Sequence, residues 1–159
     1  MILVLLGTQN NSFHRLLEKL ETCLEDKIIK DKVIVQCGYT KFVSTNMELI
    51  DFIPIKAFND YVKQSDLIIT HGGVGSIIHG ITNGKKVIAV PRLSKYKEHV
   101  NDHQVQIIKM FNEKGLIKGV CDIVDLPEAI ENISSFTPVP YISNNENMLK
   151  IISDYIDKN

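Results

Sequence analysis

Short apolar runs that alternate with amphipathic stretches constrain the fold of this chain more than any other feature. Residues 2–6 read ILVLL and residues 67–70 read LIIT, and neither run alternates between apolar and polar side chains. A continuous apolar run of this length is typical of a strand that is buried on both faces of a parallel sheet. Between these runs, Leu16, Leu17 and Leu20 recur at helical spacing. The sequence therefore predicts strands that alternate with helices.

The alternation continues along the chain. The predicted strands after the first are residues 33–35, 67–70, 87–90 and 117–120, with a short apolar segment at 52–53. The predicted helices begin near Phe13 and lie at residues 58–62, 74–83 and about 101–114. This order favours a doubly wound α/β domain, with a mostly parallel sheet and helices on both faces. Ligands of such sheets bind beyond the carboxyl ends of the strands, so the loops at 7–11, 38–45, 71–75 and 91–101 are expected to gather at one edge.

The chain has material for one ordinary domain, with 159 residues of which 44% are hydrophobic. Residues 1–134 are expected to form this domain. Residues 135–145 contain two prolines and several turn formers, which predicts a connector. Residues 146–159 place Met148 and Tyr155 on one face of a predicted amphipathic helix. That face is expected either to pack back on the domain or to dock on another protein.

The charge balance and the cysteines exclude several classes of protein. With 18 basic and 19 acidic residues, the formal charge of −1 provides no broad positive field for nucleic acid or an acidic membrane surface. Cys23, Cys37 and Cys121 form no C-x-x-C pair, so neither a disulfide framework nor a thiolate zinc site is indicated. Residues 1–6 are apolar but lack a basic lead, which does not fit a signal peptide or a membrane span. We therefore expect a protein of the reducing cytosol.

Three glycines follow the predicted strand at 67–70, in the stretch THGGVGS. Backbone N–H groups and the positive end of the next helix dipole can bind phosphate there, and Gly72, Gly73 and Gly75 would allow close approach. The same glycines can serve only a tight strand-to-helix turn. The spacing matches neither a dinucleotide-binding fingerprint nor a P-loop, and the glycine that a nucleophile elbow requires two residues before Ser76 is missing. The loop alone leaves both interpretations open.

A dense polar segment, PRLSKYKEHVNDHQ at residues 91–104, follows the predicted strand after this loop. Asp102, His103 and Gln104 offer directional hydrogen bonds that suit sugar hydroxyls. A solvated helix start would contain the same residue types. His99 and His103 are four residues apart, but no H-E-x-x-H pattern and no third ligand accompany them, so a metal site is not predicted.

Three stretches taken together, GTQNNSFHRL, THGGVGS and PRLSKYKEHVNDHQ, resemble glycosyltransferase family 28. The resemblance covers roughly residues 2–120, with the three motifs in the family's order. Within that family, the chain is similar to the small single-domain subunits of split transferases, such as those of the dolichol pathway and of bacterial capsule and exopolysaccharide synthesis. The resemblance implies a Rossmann-like half of a GT-B enzyme, namely the lobe that binds a UDP-sugar donor, without the lobe that binds the acceptor.

The resemblance also assigns roles to individual residues. The backbone of Ile55 would contact the uracil, and His79 stands where many family members have a ribose-binding glutamate. The first motif reads SFHRL where the bacterial pattern is usually PFDRL, so His14 replaces an acidic residue. The remaining assignments are Thr8, His71, Gly72, Gly73, Gly75 and Ser76 for the donor diphosphate, Arg92, Glu98, Asp102, His103 and Gln104 for the donor sugar, and Gly7, Asn11 and Phe13 for the acceptor side.

The activity that the resemblance implies is transfer of a hexose-type sugar from a UDP-sugar to a lipid-linked acceptor in surface-polysaccharide biosynthesis. Neither a cofactor nor an essential metal is expected, and no nucleic acid partner. His14 and His71 are candidates for the general base, since imidazole titrates near neutral pH. A small membrane-anchored partner subunit would recruit the cytoplasmic chain to the inner face of the membrane, and the chain alone would have little activity. Two alternatives are a non-catalytic UDP-sugar-binding or regulatory module and an unrelated flavodoxin-like binding domain.

Overall fold

The structure, a computed structural model, describes residues 1–142, which contain a six-stranded sheet with all neighbouring strands parallel. The strands are β1 (Ile2–Leu5), β2 (Val33–Gln36), β3 (Glu48–Ile50), β4 (Leu67–Thr70), β5 (Lys86–Ala89) and β6 (Lys118–Gly119). Their order is β3-β2-β1-β4-β5-β6, so the direction of winding reverses between β1 and β4. The doubly wound α/β fold predicted from the sequence is confirmed.

Within residues 1–142, five α-helices cover the two faces of the sheet. On one face lie α1 (His14–Glu25) and α5 (Leu126–Glu131), and on the other lie α2 (Ile55–Gln64), α3 (Val74–Thr82) and α4 (His103–Glu113). Short 3₁₀ turns occur at Ser94–Tyr96, Ile123–Asp125 and Ile133–Ser135. Side chains of a strand point alternately to opposite faces. Val4 therefore packs in the core beneath α1 and α5, whereas Leu3 and Leu5 pack in the core beneath α2, α3 and α4. This burial on both faces explains why β1 is apolar throughout.

The largest difference from the predicted elements lies at the sheet edge. Strand β3 was not predicted, and the apolar segment at 52–53 lies in the loop that follows it. An edge strand of three residues, exposed or half-buried along its length, has no continuous apolar run that would reveal it. Helix α2 also begins at Ile55, three residues before the predicted position. The predicted helix at 146–159 lies outside the described residues, as do residues 143–145 of the predicted connector.

The loops at the carboxyl ends of the strands are tied to one another by buried hydrogen bonds. The hydroxyl of Thr40, in the loop after β2, accepts a hydrogen bond of 2.9 Å from the backbone N–H of Phe13. The side-chain oxygen of Gln36 accepts one of 3.1 Å from the N–H of Ile53. These bonds satisfy buried backbone donors where the chain leaves the sheet. They hold the loops around the point between β1 and β4 where an open α/β sheet binds its ligand.

Candidate functional site

A cavity of about 740 Å3 opens at the carboxyl edge of the sheet, where the winding reverses between β1 and β4. Its walls come from the loops after β1 and β4 and from the first turns of α2, α3 and α4. Four histidines line it, but no Lys, Arg, Asp or Glu does so among the described residues. An anion in this cavity would therefore be bound by backbone N–H groups, helix ends, neutral side chains and imidazoles. The predicted site residues on the lining are Gly7, Thr8, Ile55, His71, Gly72, Gly73, Gly75, Ser76, His79, His103 and Gln104.

The three glycines after β4 have different neighbours. Gly72 has a φ of 81°, in the left-handed region that favours glycine, and it faces the side chain of Ile108. A Cβ on Gly73 would lie 2.5 Å from Nε2 of His71. A Cβ on Gly75 would meet no protein atom within 4 Å, although the residue lines the cavity. Packing against the protein therefore explains Gly72 and Gly73, whereas the space in front of Gly75 is open to a ligand.

Helix α3 begins at the base of this cavity without a side-chain cap. Gly73 is the capping residue, and no side chain accepts a hydrogen bond from the first turn. The backbone N–H groups of Val74, Gly75 and Ser76 belong to this turn, where an α-helix has no internal acceptors. Together with the helix dipole, these groups can attract an anion without any charged side chain.

His71 is held between the first loop and the glycine loop. Its Nδ1 lies 3.1 Å from the carbonyl oxygen of Leu5 and 3.3 Å from the Thr70 hydroxyl. Because a carbonyl can only accept, Nδ1 carries the hydrogen and Nε2 carries a lone pair. A Cβ on Gly7 would lie 2.8 Å from the ring, so Gly7 and Gly73 both make room for it. Burial, followed by the charge of Arg92, lowers the pKa of His71 to about 4, so the ring is neutral near pH 7.

One end of the cavity is aromatic and lies next to the start of α2. Ile55 is the first residue of α2, so its N–H lacks an acceptor within the helix, and its side chain is 87% exposed. The rings of Phe58 and His79 pack with centroids 5.1 Å apart and planes tilted by 53°. Nε2 of His79 is buried and has no hydrogen-bond partner within residues 1–142. Sequence reasoning missed Phe58, although its position three residues after Ile55 places it on the same side of the helix.

The opposite end is formed by the start of α4. The Gln104 side-chain oxygen accepts a hydrogen bond of 2.9 Å from the N–H of Arg92, which orients the amide so that its NH2 group remains for a ligand. Nδ1 of His103 lies 3.2 Å from the Gln106 side-chain oxygen. Asp102 does not line the cavity, in contrast to the predicted sugar contact. Its carboxylate accepts a hydrogen bond of 2.8 Å from the N–H of Ser94, and this bond lowers the pKa of Asp102.

Arg92 and Glu98 also lie behind the cavity wall, where the resemblance predicted contact with the donor sugar. Arg92 is 1% exposed, and its Nη2 donates to the carbonyl oxygens of Leu6 at 2.6 Å and Asn11 at 2.9 Å. Burial lowers the pKa of Arg92 to about 10, so the guanidinium stays charged near neutral pH. Glu98 is also buried, and it pairs with a residue of α1. Both side chains serve the loops around the cavity, because carbonyl and N–H groups buried there need partners.

Three further predicted residues lie off the lining. Phe13, predicted on the acceptor side, is fully buried beneath the Arg92 guanidinium, and Asn11 contributes a carbonyl to the same group. His14 is exposed on α1, with Nδ1 3.2 Å from a carboxylate oxygen of Glu18. Of the two candidates for the general base, His71 lines the cavity and His14 does not.

No group of three or more His, Cys, Asp or Glu residues within residues 1–142 is arranged to bind a metal ion. No helix in the same range is long and apolar enough to span a membrane.

Comparison with known proteins identifies the family. The model described as "Glycosyltransferase family 28 C-terminal domain" matches residues 1–158. The human protein named UDP-N-acetylglucosamine transferase subunit ALG13 is 25% identical over 111 residues, which is 66% of this chain and 9% of that protein. The Candida albicans protein of the same name is 29% identical over 76 residues, which is 48% of this chain and 25% of that protein. The chain thus spans a quarter or less of the length of these relatives.

Solved structures share the fold. MurG of Acinetobacter baumannii superposes with a TM-score of 0.54 at 22% identity, covering 83% of this chain and 40% of that one. A glycosyltransferase described with kitacinnamycin superposes with a TM-score of 0.55 at 17% identity, covering 97% of this chain and 37% of that one. At these sequence identities, the superpositions establish a common fold only. Because the family model matches nearly the whole sequence, the chain belongs to the glycosyltransferase family 28 C-terminal domain family.

Proposed function

We propose that this chain is the donor-binding subunit of a UDP-sugar glycosyltransferase. The observation that carries the proposal is the uncapped start of α3, which opens into a 740 Å3 cavity whose described lining has no charged side chain. A nucleoside diphosphate fits a position where N–H groups and a helix dipole supply the attraction. Family membership supports the same activity, and the names of the curated relatives make UDP-N-acetylglucosamine the first donor to test.

In the proposed reaction, the bond between the sugar C1 and the β-phosphate oxygen breaks, and an acceptor hydroxyl oxygen bonds to C1. The electron pair of the broken bond leaves with UDP, so negative charge grows on the diphosphate. The N–H groups of Val74, Gly75 and Ser76 are placed to stabilise this charge in the transition state. The acceptor hydroxyl loses its proton to a base. In keeping with the resemblance, we propose a lipid-linked acceptor of surface polysaccharide and no essential metal.

His71 can take part in this reaction in one of two ways. Its Nε2 has a lone pair near neutral pH, since Nδ1–H donates to Leu5. Nε2 can accept the proton of an acceptor hydroxyl. Alternatively, a bound diphosphate raises the pKa of the ring, which then takes up a proton and donates to a phosphate oxygen.

A second candidate function is a module that binds UDP-sugars without catalysis. The observation that favours it is His79, whose Nε2 is buried without a partner in the described part of the chain, where the family usually has a ribose-binding glutamate. A weaker ribose contact would leave a site that senses the nucleotide. Transfer of labelled sugar to membranes by the chain with its co-expressed partner distinguishes the two, because a binding module transfers none.

The first experiment is a thermal-shift assay with UDP, UDP-N-acetylglucosamine, FMN and NAD. We expect the two uridine nucleotides to stabilise the protein, by about 2.7 kcal/mol at a hundred times the Kd. FMN and NAD serve as matched controls, since both carry phosphates and bind other doubly wound folds. Stabilisation by FMN or NAD, with none by UDP, would contradict the proposed function.

A further inference from the structure

A largely buried ion pair joins α1 to the polar segment 91–104. Nε and Nη2 of Arg15 donate to the two carboxylate oxygens of Glu98, each at 2.9 Å. The arrangement is the bidentate one, in which both partners are fixed in direction as well as distance. The side chains of Arg15 and Glu98 are 17% and 7% exposed. The motif comparison assigned no role to Arg15.

The same pair fixes both ends of a loop that has little regular structure. Nη2 of Arg15 also donates to the Pro91 carbonyl at 3.0 Å, and a Glu98 oxygen also accepts from the N–H of Leu93 at 2.9 Å. The Arg15 guanidinium lies 4.8 Å from the ring centroid of Tyr96, within the loop. Together with the 3₁₀ turn at Ser94–Tyr96 and the hydrogen bonds that Asp102 and Gln104 accept from the segment, these contacts hold the chain between β5 and α4.

This loop leads directly into the end of the cavity formed by the start of α4, which we call the sugar end because the donor sugar is proposed to lie there. His99 and Asn101 follow Glu98 in sequence and line the cavity, and so does Gln104. Other contacts hold the proposed diphosphate position. Helix α3 follows β4 directly, and the His71 ring is hydrogen-bonded to the Leu5 carbonyl at the end of β1. A shift of the loop would move the residues at the sugar end and leave the start of α3 in place.

We propose that Arg15 and Glu98 are positioning residues for the donor sugar, acting through the segment 91–104 rather than by contact. The inference rests on the proposed function, because it assigns the sugar end of the same site. It changes the role of Glu98 from a sugar ligand to a support, and it adds Arg15 as the partner on α1. Buried bidentate pairs lose their geometry when one partner changes, so the effect should appear with conservative variants.

The experiment measures the Kd of UDP and of four UDP-sugars, those of N-acetylglucosamine, glucose, galactose and glucuronic acid, by calorimetry. Wild type should bind at least one of these UDP-sugars with a Kd different from that of UDP. In Arg15→Lys and Glu98→Gln, the ratio of these two Kd values should move about tenfold closer to one. This is expected when the groups that contact the sugar move by a fraction of an ångström. The Kd of UDP should not change. The Kd ratio should change no more in the double variant than in the more affected single variant, because both substitutions break the same ion pair.

Glu48→Gln is the matched control, since it makes the same carboxylate-to-amide change in an exposed pair with Lys32 at the opposite end of the sheet. It should leave every Kd unchanged. Glu98→Gln keeps an oxygen for the Leu93 N–H, so it tests the proposal even if Arg15→Lys does not fold. Equal losses for UDP and UDP-sugar, or no loss for either, would overturn the positioning role. A wild-type protein that does not bind UDP would instead overturn the proposed function, and the positioning role with it.

Discussion

The neutral state of His71 follows from where the fold places the ring. Burial removes water that would solvate an imidazolium, and the charge of Arg92 repels a second positive charge nearby. The hydrogen bond to the Leu5 carbonyl opposes both effects but does not outweigh them. From its residue type alone, a histidine in a phosphate-binding loop would be expected to titrate near neutral pH. The structure places it where a positive charge is costly in the absence of a ligand.

The lowered pKa of His71 makes the stability of the free protein depend on pH. The unfolded chain binds a proton at His71 below about pH 6.5, whereas the folded chain does so only near pH 4. Between these values the unfolded state binds more protons, so stability falls as the pH falls. From pH 6.5 to pH 4.5 the loss from this group should be about 2–3 kcal/mol.

Urea denaturation of wild type and His71→Gln at pH 7 and pH 4.5 measures this loss. The variant keeps an amide donor for the Leu5 carbonyl but has no group that titrates. We expect it to lose less stability than wild type over this range. Equal losses in the two proteins would show that His71 is not held neutral in the folded state.

At the scale of the element, the start of α3 shows that one glycine motif can serve several purposes. The sequence interpretation gave Gly72, Gly73 and Gly75 the same role, which was close approach of the backbone to an anion. The structure separates them, because a side chain at Gly73 would collide with His71 whereas one at Gly75 would enter the open cavity. Two substitutions of equal size should therefore have opposite effects on stability.

Gly75→Ala should leave the fold intact or stabilise it by up to about 1 kcal/mol, since alanine favours a helix over glycine. Its methyl group would occupy the space in which a phosphate oxygen approaches the first turn. A hydrogen bond to a charged group is worth about 1.5–3 kcal/mol, so UDP binding should weaken about tenfold or more. Thermal unfolding and calorimetry with UDP measure the two effects. Unchanged UDP affinity in this variant would argue against a diphosphate at the start of α3.

Gly73→Ala is the matched change two residues away. Its Cβ would lie 2.5 Å from Nε2 of His71, so the ring or the loop must move. Overpacking of this kind costs about 1–3 kcal/mol of stability. Thermal unfolding should therefore show a lower Tm for Gly73→Ala than for wild type. An unchanged Tm would mean that the ring of His71 is free to leave its position between the two glycines.

At the scale of the whole molecule, the chain corresponds to less than half of two solved structures that share its fold. The chain covers 40% of the MurG structure and 37% of the kitacinnamycin glycosyltransferase, so most of each of those proteins has no counterpart in it. If the chain is a donor-binding subunit, the groups that bind the acceptor must come from elsewhere. The proposal therefore includes a small membrane-anchored partner subunit at the inner face of the membrane.

If a partner supplies the acceptor site, nucleotide binding and sugar transfer should have different requirements. The chain alone should bind UDP, whereas transfer of radiolabelled sugar to membranes should require the co-expressed partner. Transfer should persist in EDTA, because the α3 first turn rather than a divalent cation is proposed to stabilise the leaving group. Assays with and without partner, each with and without EDTA, measure both expectations. Transfer by the chain alone would contradict the need for a partner, and its loss in EDTA would contradict the metal-independent mechanism.

The alternation of buried strands and amphipathic helices, and hence the sheet edge at which the loops meet, could be predicted from the sequence. Those features depend on local periodicity, which neighbouring residues in the chain carry. The same was true of the loop at residues 71–76, since a glycine-rich turn before a helix has a local cause. Strand β3 was missed because a short, half-exposed edge strand has almost no local pattern of its own.

Which polar residues of the motifs line the cavity, and which support it, depends on the folded arrangement of the loops. Arg92, Glu98 and Asp102 have the residue types of ligands, but Arg92 donates to the backbone after β1, and Glu98 and Asp102 accept from backbone N–H groups of their own segment. The pairing of Arg15 with Glu98 joins residues 83 positions apart. Such contacts depend on how distant segments meet, and a linear pattern of residue types does not contain that information.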